Sequence, residues 1–246
     1  MKILVHGSTG RMGKILCELL TSGHNGLELA ARVSPEEIAD PAACVYSSLA
    51  EVDCEVDGVV DFSHHTAVGG LMEFCMAKNL PVVVATTGHT AEEKAIIAEA
   101  AKKIPVFFSA NMSIGVALVA ELAKKAASVF PEANIEIVEK HHNQKLDVPS
   151  GTALLLAHRI QEALTDTVLL VGRHENGKRT AKEIGIHSLR LGNEVGTHEI
   201  IIATGAETIT LKHEAENRSL FANGALAAAA FLEGKSAGLY SMQDII

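Results

Sequence analysis

The sequence predicts an α/β protein: a doubly wound parallel sheet followed by a second, smaller mixed α+β unit. Three observations predict it. Lys2–Val5 is a short apolar run, followed by Gly7, Gly10 and Gly13 and then by Ile15, Leu16, Leu19 and Leu20 at helical period. Apolar runs and helical patterns alternate up to about residue 112, as in a parallel sheet with crossover helices. After Ser113 the alternation gives way to longer β-rich runs separated by Gly192-Asn193 and Thr204-Gly205, which is meander chemistry.

The elements follow in order. Strands are predicted at Lys2–Val5, Leu27–Arg32, Gly58–Phe62, Pro81–Ala85 and Val106–Phe108, where short β-branched or apolar runs fit buried parallel strands. Helices are predicted at Arg11–Thr21, Thr66–Lys78 and Ala91–Lys103; Thr90 before Ala91-Glu92-Glu93 reads as an N-cap. Beyond Ser113 a long helix, Val116–Val129, leads to a strand, Asn134–Glu139. A helix runs from Gly151 to about Leu164, β runs cover Glu183–Arg190, His198–Ala203 and Thr208–His213, and an Ala-rich helix spans Leu220–Leu232.

The opening strand, glycine turn and helix form the setting of a Rossmann-like dinucleotide-binding fingerprint. Gly7 permits the tight turn, Gly10 lets backbone approach a pyrophosphate, and Gly13 lets the helix pack close to the strand. The spacing is G-x-x-G-x-x-G, a variant, and a βα turn with no ligand has the same outline. In a doubly wound sheet ligands bind at the carboxyl ends of the strands. That brings the glycine turn, the loop from Ser63 to Thr66, Thr86-Thr87-Gly88 and Ala110-Asn111-Met112 to one edge.

The richest chemistry lies between Glu139 and Ala153, E-K-H-H-N-Q-K-L-D-V-P-S-G-T-A. His141, His142 and Lys145 crowd into five residues. Pro149 blocks helix before it and Ser150 is a good N-cap. A helix N-terminus favours anions, and His and Lys are the usual groups for proton transfer near neutral pH. The bland alternative is a solvated loop before a capped helix. A metal site from His141, His142 and Asp147 is disfavoured, because adjacent strand residues point to opposite faces and no His pair at helical spacing accompanies them.

Composition narrows the classes. The 246 residues suffice for one large or two small domains with a sizeable core. A net charge of −9 argues against nucleic acid or an anionic membrane as partner. No apolar run reaches the length of a membrane span, and Lys2 leads directly into a strand with no room for a signal peptide. Cys17, Cys44, Cys54 and Cys75 lack C-x-x-C spacing and read as reduced, buried thiols of a cytoplasmic protein.

These blocks together carry a resemblance. G-S-T-G-R-M-G at 7–13, D-F-S at 61–63, A-T-T-G at 85–88 and S-A-N-M-S-I-G-V at 109–116 come first. Then follow E-K-H-H…K-x-D-x-P-S-G-T-A, S-L-R-L-G-N-E-V-G-T-H-E at 188–199 and H-E-A-E-N-R-S-L-F-A-N-G-A at 213–225. In these motifs, and over nearly its whole length, the chain resembles the 4-hydroxy-tetrahydrodipicolinate reductases, nicotinamide-dependent enzymes of lysine and diaminopimelate biosynthesis.

The resemblance implies a dinucleotide-binding domain of residues 1–112 plus 218–246, a substrate-binding and tetramerisation domain of residues 113–217, and a homotetramer. It implies a small cyclic imine with two carboxylates as substrate. His141 is then the proton donor or acceptor and Lys145 the cationic acid. His142 binds one carboxylate, and Ser150, Gly151 and Thr152 bind the other. Like charges on the histidines and the lysine are expected to depress one another's pKa. Asp147 orients the loop, and Arg190 and Arg218 pair with acids structurally. Candidate cofactor contacts are Gly7, Ser8, Thr9, Gly10, Arg11, Met12, Arg32, Ser34 and Ser63, with Ala85, Thr86, Thr87, Ser109, Ala110, Asn111 and Met112 on the nicotinamide side.

Cofactor preference is where the sequence departs from the family pattern. Neither of the two positions after Arg32 is acidic, and an acid there would bind the adenosine ribose. A 2′-phosphate can be taken by Arg32, Ser34 and Arg11, which favours NADPH, with NADH also used. Two alternatives remain at this point. One is a related imine or semialdehyde reductase, such as aspartate dehydrogenase. The other is a nucleotide-sensing protein without chemistry.

Overall fold

The computed structural model describes residues 1–36 and 44–246. The chain divides into two units, Met1–Ser113 with Ser219–Ile246, and Ile114–Arg218.

The first unit opens with β1 (Lys2–His6) and α1 (Arg11–Thr21), then β2 (Glu28–Val33) and β3 (Cys44–Tyr46). It continues with β4 (Gly58–Asp61), α2 (Val68–Lys78), β5 (Val82–Val84), α3 (Ala91–Ala101) and β6 (Pro105–Phe108). After the excursion into the second unit, α6 (Ser219–Leu232) and β12 (Gly238–Tyr240) complete it. The strands form one seven-stranded parallel sheet, ordered β12-β6-β5-β4-β1-β2-β3. From β3 to β6 this is the doubly wound order, and its direction reverses between β1 and β4. Every residue of β4 and β5 is buried, which is why these strands read as unbroken apolar runs. Helices α1 and α6 pack together, as do α2 and α3.

The second unit contains α4 (Ile114–Val129), β7 (Asn134–His141), α5 (Gly151–Gln161) and β8 (Val168–Val171). Three long strands follow, β9 (Glu183–Arg190), β10 (Gly196–Ala203) and β11 (Thr208–Ala215). Its five-stranded mixed sheet is ordered β11-β10-β7-β9-β8. Helices α4 and α5 pack on one face over Ile135, Ile137, Ile184, Ile186, Ile200 and Ile202.

Several expectations need correction. β3, β8 and β12 have only three or four residues each and fell below the pattern needed to see them. The helix expected from Thr66 is a short 3-10 turn, His65–Ala67, before α2 proper. β7 runs past Glu139 to His141, so His141 belongs to the strand and not to the loop. All four cysteines are free, but only Cys17 and Cys75 are buried; Cys44 is exposed on the sheet-edge strand β3.

Gly224 shows how tightly α6 packs. A Cβ there would run into the carbonyl oxygen of Met112. Glycine inside a helix costs about 1 kcal/mol relative to alanine, so propensity alone would favour the substitution. Gly224→Ala is nevertheless expected to lose about 1–3 kcal/mol through overpacking, read as a lower urea midpoint. An unchanged midpoint would mean that the Met112 loop yields freely.

Candidate active site

In the first unit a candidate set of residues grows from the ends of parallel strands. Gly7 has φ +80, and a Cβ on it would lie 2.6 Å from the Phe62 carbonyl oxygen. A Cβ on Gly13 would strike the Gly7 carbonyl. Helix α1 begins at Gly10 with no side-chain cap, so its first N–H groups are left for an anion. This backbone cradle, closed to side chains and open to an anion, fits a dinucleotide pyrophosphate. Ser8 is buried, Thr9 and Met12 are half-buried and Arg11 is exposed at the helix start. Thr9 Oγ1 lies 2.7 Å from the buried Ser34 Oγ, tying the turn to the end of β2 beside Arg32.

Asp61, part of the D-F-S block but given no role by the sequence, organises the neighbouring loops. It ends β4, is 2 % exposed, and accepts from Ser63 Oγ at 2.6 Å and Thr86 Oγ1 at 2.6 Å. His6 Nδ1 stands 2.8 Å from the same carboxylate. The hydroxyls of Ser63 and Thr86 therefore shape the loops, while Thr87 is exposed next to them. Ala85 is buried beneath. In the loop after β6, Ser109 Oγ donates to the Asn111 carbonyl at 2.7 Å, and Asn111 Oδ1 accepts from Ser113 N at 2.8 Å. Ala110 is exposed and Met112 buried. All these loops follow carboxyl ends of strands in one sheet.

In the second unit a separate set grows from strand alternation. In β7 the buried positions are Ile135, Ile137, Glu139 and His141. The helix-covered face thus turns from apolar to ionisable within one strand. Registry brings Glu139 beside Ser188 and His198, and His141 beside Arg190. Glu139 is 0 % exposed. It receives both Arg190 guanidinium nitrogens at 2.8 Å, His141 Nδ1 at 2.5 Å and the Ser150 N–H at 3.2 Å. Burial pushes its pKa up, but His141 and Arg190 outweigh burial and hold the carboxyl well below the usual range.

Ser150 is buried at the start of α5. Its hydroxyl accepts from Ala153 N at 3.1 Å as the N-cap of α5 and meets His198 Nε2 at 3.1 Å. Gly151 is exposed and Thr152 half-buried in the first turn beyond it. His198 packs edge-on against His141, with ring centroids 5.1 Å apart. Burial first, and the His141 charge second, lower its pKa to about 3, so it is neutral at working pH.

The loop after β7 is held by its backbone. His142 N donates to the Glu194 carbonyl at 2.8 Å, Asn143 N to Gly192 at 3.2 Å, and Lys145 N to His142 at 3.2 Å. Lys145 Nζ sits 2.8 Å from Asp147 Oδ1, and the Asp147 carbonyl accepts from Arg190 at 2.8 Å. The expected cluster of mutually repelling cations is therefore corrected: Glu139 and Asp147 interleave carboxylates among His141, Lys145 and Arg190. Among the described residues no group of three or more His, Cys, Asp or Glu is placed to hold a metal ion, and no helix is long and apolar enough to cross a membrane.

A parallel sheet of this order with a glycine-cradled first turn is a Rossmann-like dinucleotide-binding fold, and the class of the chain is that of the NAD(P)H-dependent oxidoreductases. Comparison with known proteins resolves the class further. Residues 1–112 match the family model for the dihydrodipicolinate reductase N-terminus, and residues 115–246 match the model for its C-terminus. The chain belongs to the dihydrodipicolinate reductase family.

It is 43% identical over 248 residues to the 4-hydroxy-tetrahydrodipicolinate reductase of Caldanaerobacter subterraneus, covering 100% of this chain and 98% of that one. It is 42% identical to the enzyme of the same name from Clostridium novyi, with the same coverage. Among solved structures it matches a dipicolinate-bound dihydrodipicolinate reductase from Paenisporosarcina sp. TG-14. There the TM-score is 0.84 and the identity 27%, over 100% of this chain and 99% of that one. Aspartate dehydrogenase from Thermotoga maritima shares the fold alone, at a TM-score of 0.54 and 14% identity, over 96% of this chain and 98% of that one.

Proposed function

We propose that this chain is a 4-hydroxy-tetrahydrodipicolinate reductase, reducing its substrate to tetrahydrodipicolinate in the diaminopimelate route to lysine. The observation that carries the reading is the intact His141, His142 and Lys145 loop, set against the N-terminus of α5 in a chain matched over its full length by reductases of that name.

When bound, the nicotinamide nucleotide would supply the hydride that reduces one double bond of the dehydrated ring, leaving the other as the imine of the product. Lys145 donates a proton as charge develops on the substrate, and His141 exchanges a proton at Nε2. His142 pairs with one carboxylate. The N–H of Gly151 and the hydroxyl of Thr152 take the other, beside the positive end of α5. Residues 1–112 with 218–246 bind the nucleotide through the glycine turn and the Ser63, Ala85–Thr87 and Ser109–Met112 loops. Residues 113–217 bind substrate and assemble a homotetramer through their sheets; Glu136, Val138 and Lys140 lie half-exposed on β7, opposite its buried residues.

NADPH is preferred, through Arg32, Ser34 and Arg11. NADH is also accepted; the first acid after β2 is Glu36, whose backbone N–H donates to Ser34 Oγ at 3.3 Å.

The deciding experiment generates substrate in situ from pyruvate and aspartate semialdehyde and follows oxidation of NADPH and NADH in parallel. Rapid enzyme-dependent oxidation supports the reading and ranks the cofactors. No oxidation of either, by protein that binds them, discards it. Thr152→Ala is expected to weaken inhibition by pyridine-2,6-dicarboxylate about tenfold, the scale of one hydrogen bond to a charged group. An unchanged inhibition constant would move the carboxylate site elsewhere.

A further inference from the structure

We propose that Glu139 is a positioning residue for His141, fixing which ring nitrogen carries out proton transfer; the inference rests on the reductase reading and deepens it. The two residues lie two apart on one face of β7, which points both side chains under the N-terminus of α5. Glu139 Oε2 stands 2.5 Å from His141 Nδ1. A carboxylate accepts only, so Nδ1 carries the hydrogen and Nε2 is left for exchange.

The far side of the ring is kept clear. A Cβ on Gly196 would lie 3.0 Å from Nε2, so any side chain at that position would crowd the exchanging nitrogen. Glu139 itself cannot swing, because Arg190 grips both of its oxygens and Ser150 N–H donates to Oε1. One carboxylate thereby ties the proton-transfer histidine to the start of the helix that binds substrate.

The charged groups around His141 leave Glu139 as its partner. Arg190 from β9 holds the same carboxylate, His198 from β10 is neutral and packs edge-on against the ring, and Lys145 and Asp147 from the following loop pair with each other.

The test is Glu139→Gln, assayed with saturating NADPH. We expect kcat to fall about ten- to a hundredfold, at or below the lower end of general acid–base assistance, with KM for NADPH unchanged. Glu139→Asp, which keeps the charge, should recover part of kcat. A Glu139 that merely held Arg190 would lower the urea midpoint and leave kcat at its wild-type value, and that result overturns the proposal. If Glu139→Gln does not fold, 15N NMR of histidine-labelled wild type decides. Hydrogen on His141 Nδ1 at alkaline pH supports the proposal, and hydrogen on Nε2 overturns it. Failure of the reductase reading looks different: wild type itself would not turn over.

Discussion

Replacing Lys145 by alanine is expected to lower kcat at least about a hundredfold while leaving NADPH affinity nearly unchanged, the signature of a lost, positioned acid. The fold gives the variant a clean reading. The loop is pinned by backbone bonds from His142, Asn143 and Lys145 and by the grip of Arg190 on the Asp147 carbonyl, none of which needs the lysine side chain. The ammonium group's own partner is Asp147, whose side chain is 58% exposed, so the freed carboxylate is readily solvated and little stability is lost. Loss of turnover therefore reports chemistry rather than collapse. A near-normal kcat in Lys145→Ala would remove the residue from the mechanism. A large rise in KM for NADPH would show that it serves the nucleotide instead.

The sequence exposed the chemistry that sits in loops and hid the chemistry that sits in strands. The glycine turn, the His-His-Lys loop and the Ser150 cap are legible because their residue types are rare in regular structure and their spacing has a mechanical reason. Asp61 and His6 are not legible in that way. Each is the last residue of a buried parallel strand, where an apolar run gives no phase from which a polar residue stands out. Glu139 and His198 did leave a signal. Ile135, Ile137, Glu139 and His141 share one period-two phase, as do His198, Ile200 and Ile202. Polar residues that continue a core phase must be paired once buried, and that rule would have pointed to Arg190 and Ser150 as partners. The short strands were missed for a different reason. β3 and β12 are edge strands of three residues, stabilised by a neighbour already in place and not by any local pattern.

Arg190→Ala is expected to destabilise the second unit by about 3 kcal/mol, the cost of removing one partner from a buried ion pair. Glu139 has no exposed surface and its oxygens are spoken for by Arg190, His141 and Ser150 N–H. Removing the guanidinium leaves His141, among the described residues, as the side chain that balances the charge. The pH dependence separates this from a general packing loss. The folded-state pKa of Glu139 lies below its ordinary value of 4.5, so its contribution to stability is complete above that value and is lost as pH falls through the folded pKa. The gap between wild type and Arg190→Ala in urea should therefore be widest near neutral pH and narrow as the solution is acidified below about 4. A gap that stays constant with pH would mean that the ion pair is not its source. The double replacement Glu139→Leu with Arg190→Met carries the argument one step further. Apolar residues of similar volume often match a buried pair in stability, so the double variant should regain much of the urea midpoint. It should not regain turnover, because the carboxylate that aims His141 is gone. Stability restored without activity would assign the pair's retention to the histidine it holds, whereas activity restored together with stability would leave Glu139 and Arg190 a structural pair and nothing more.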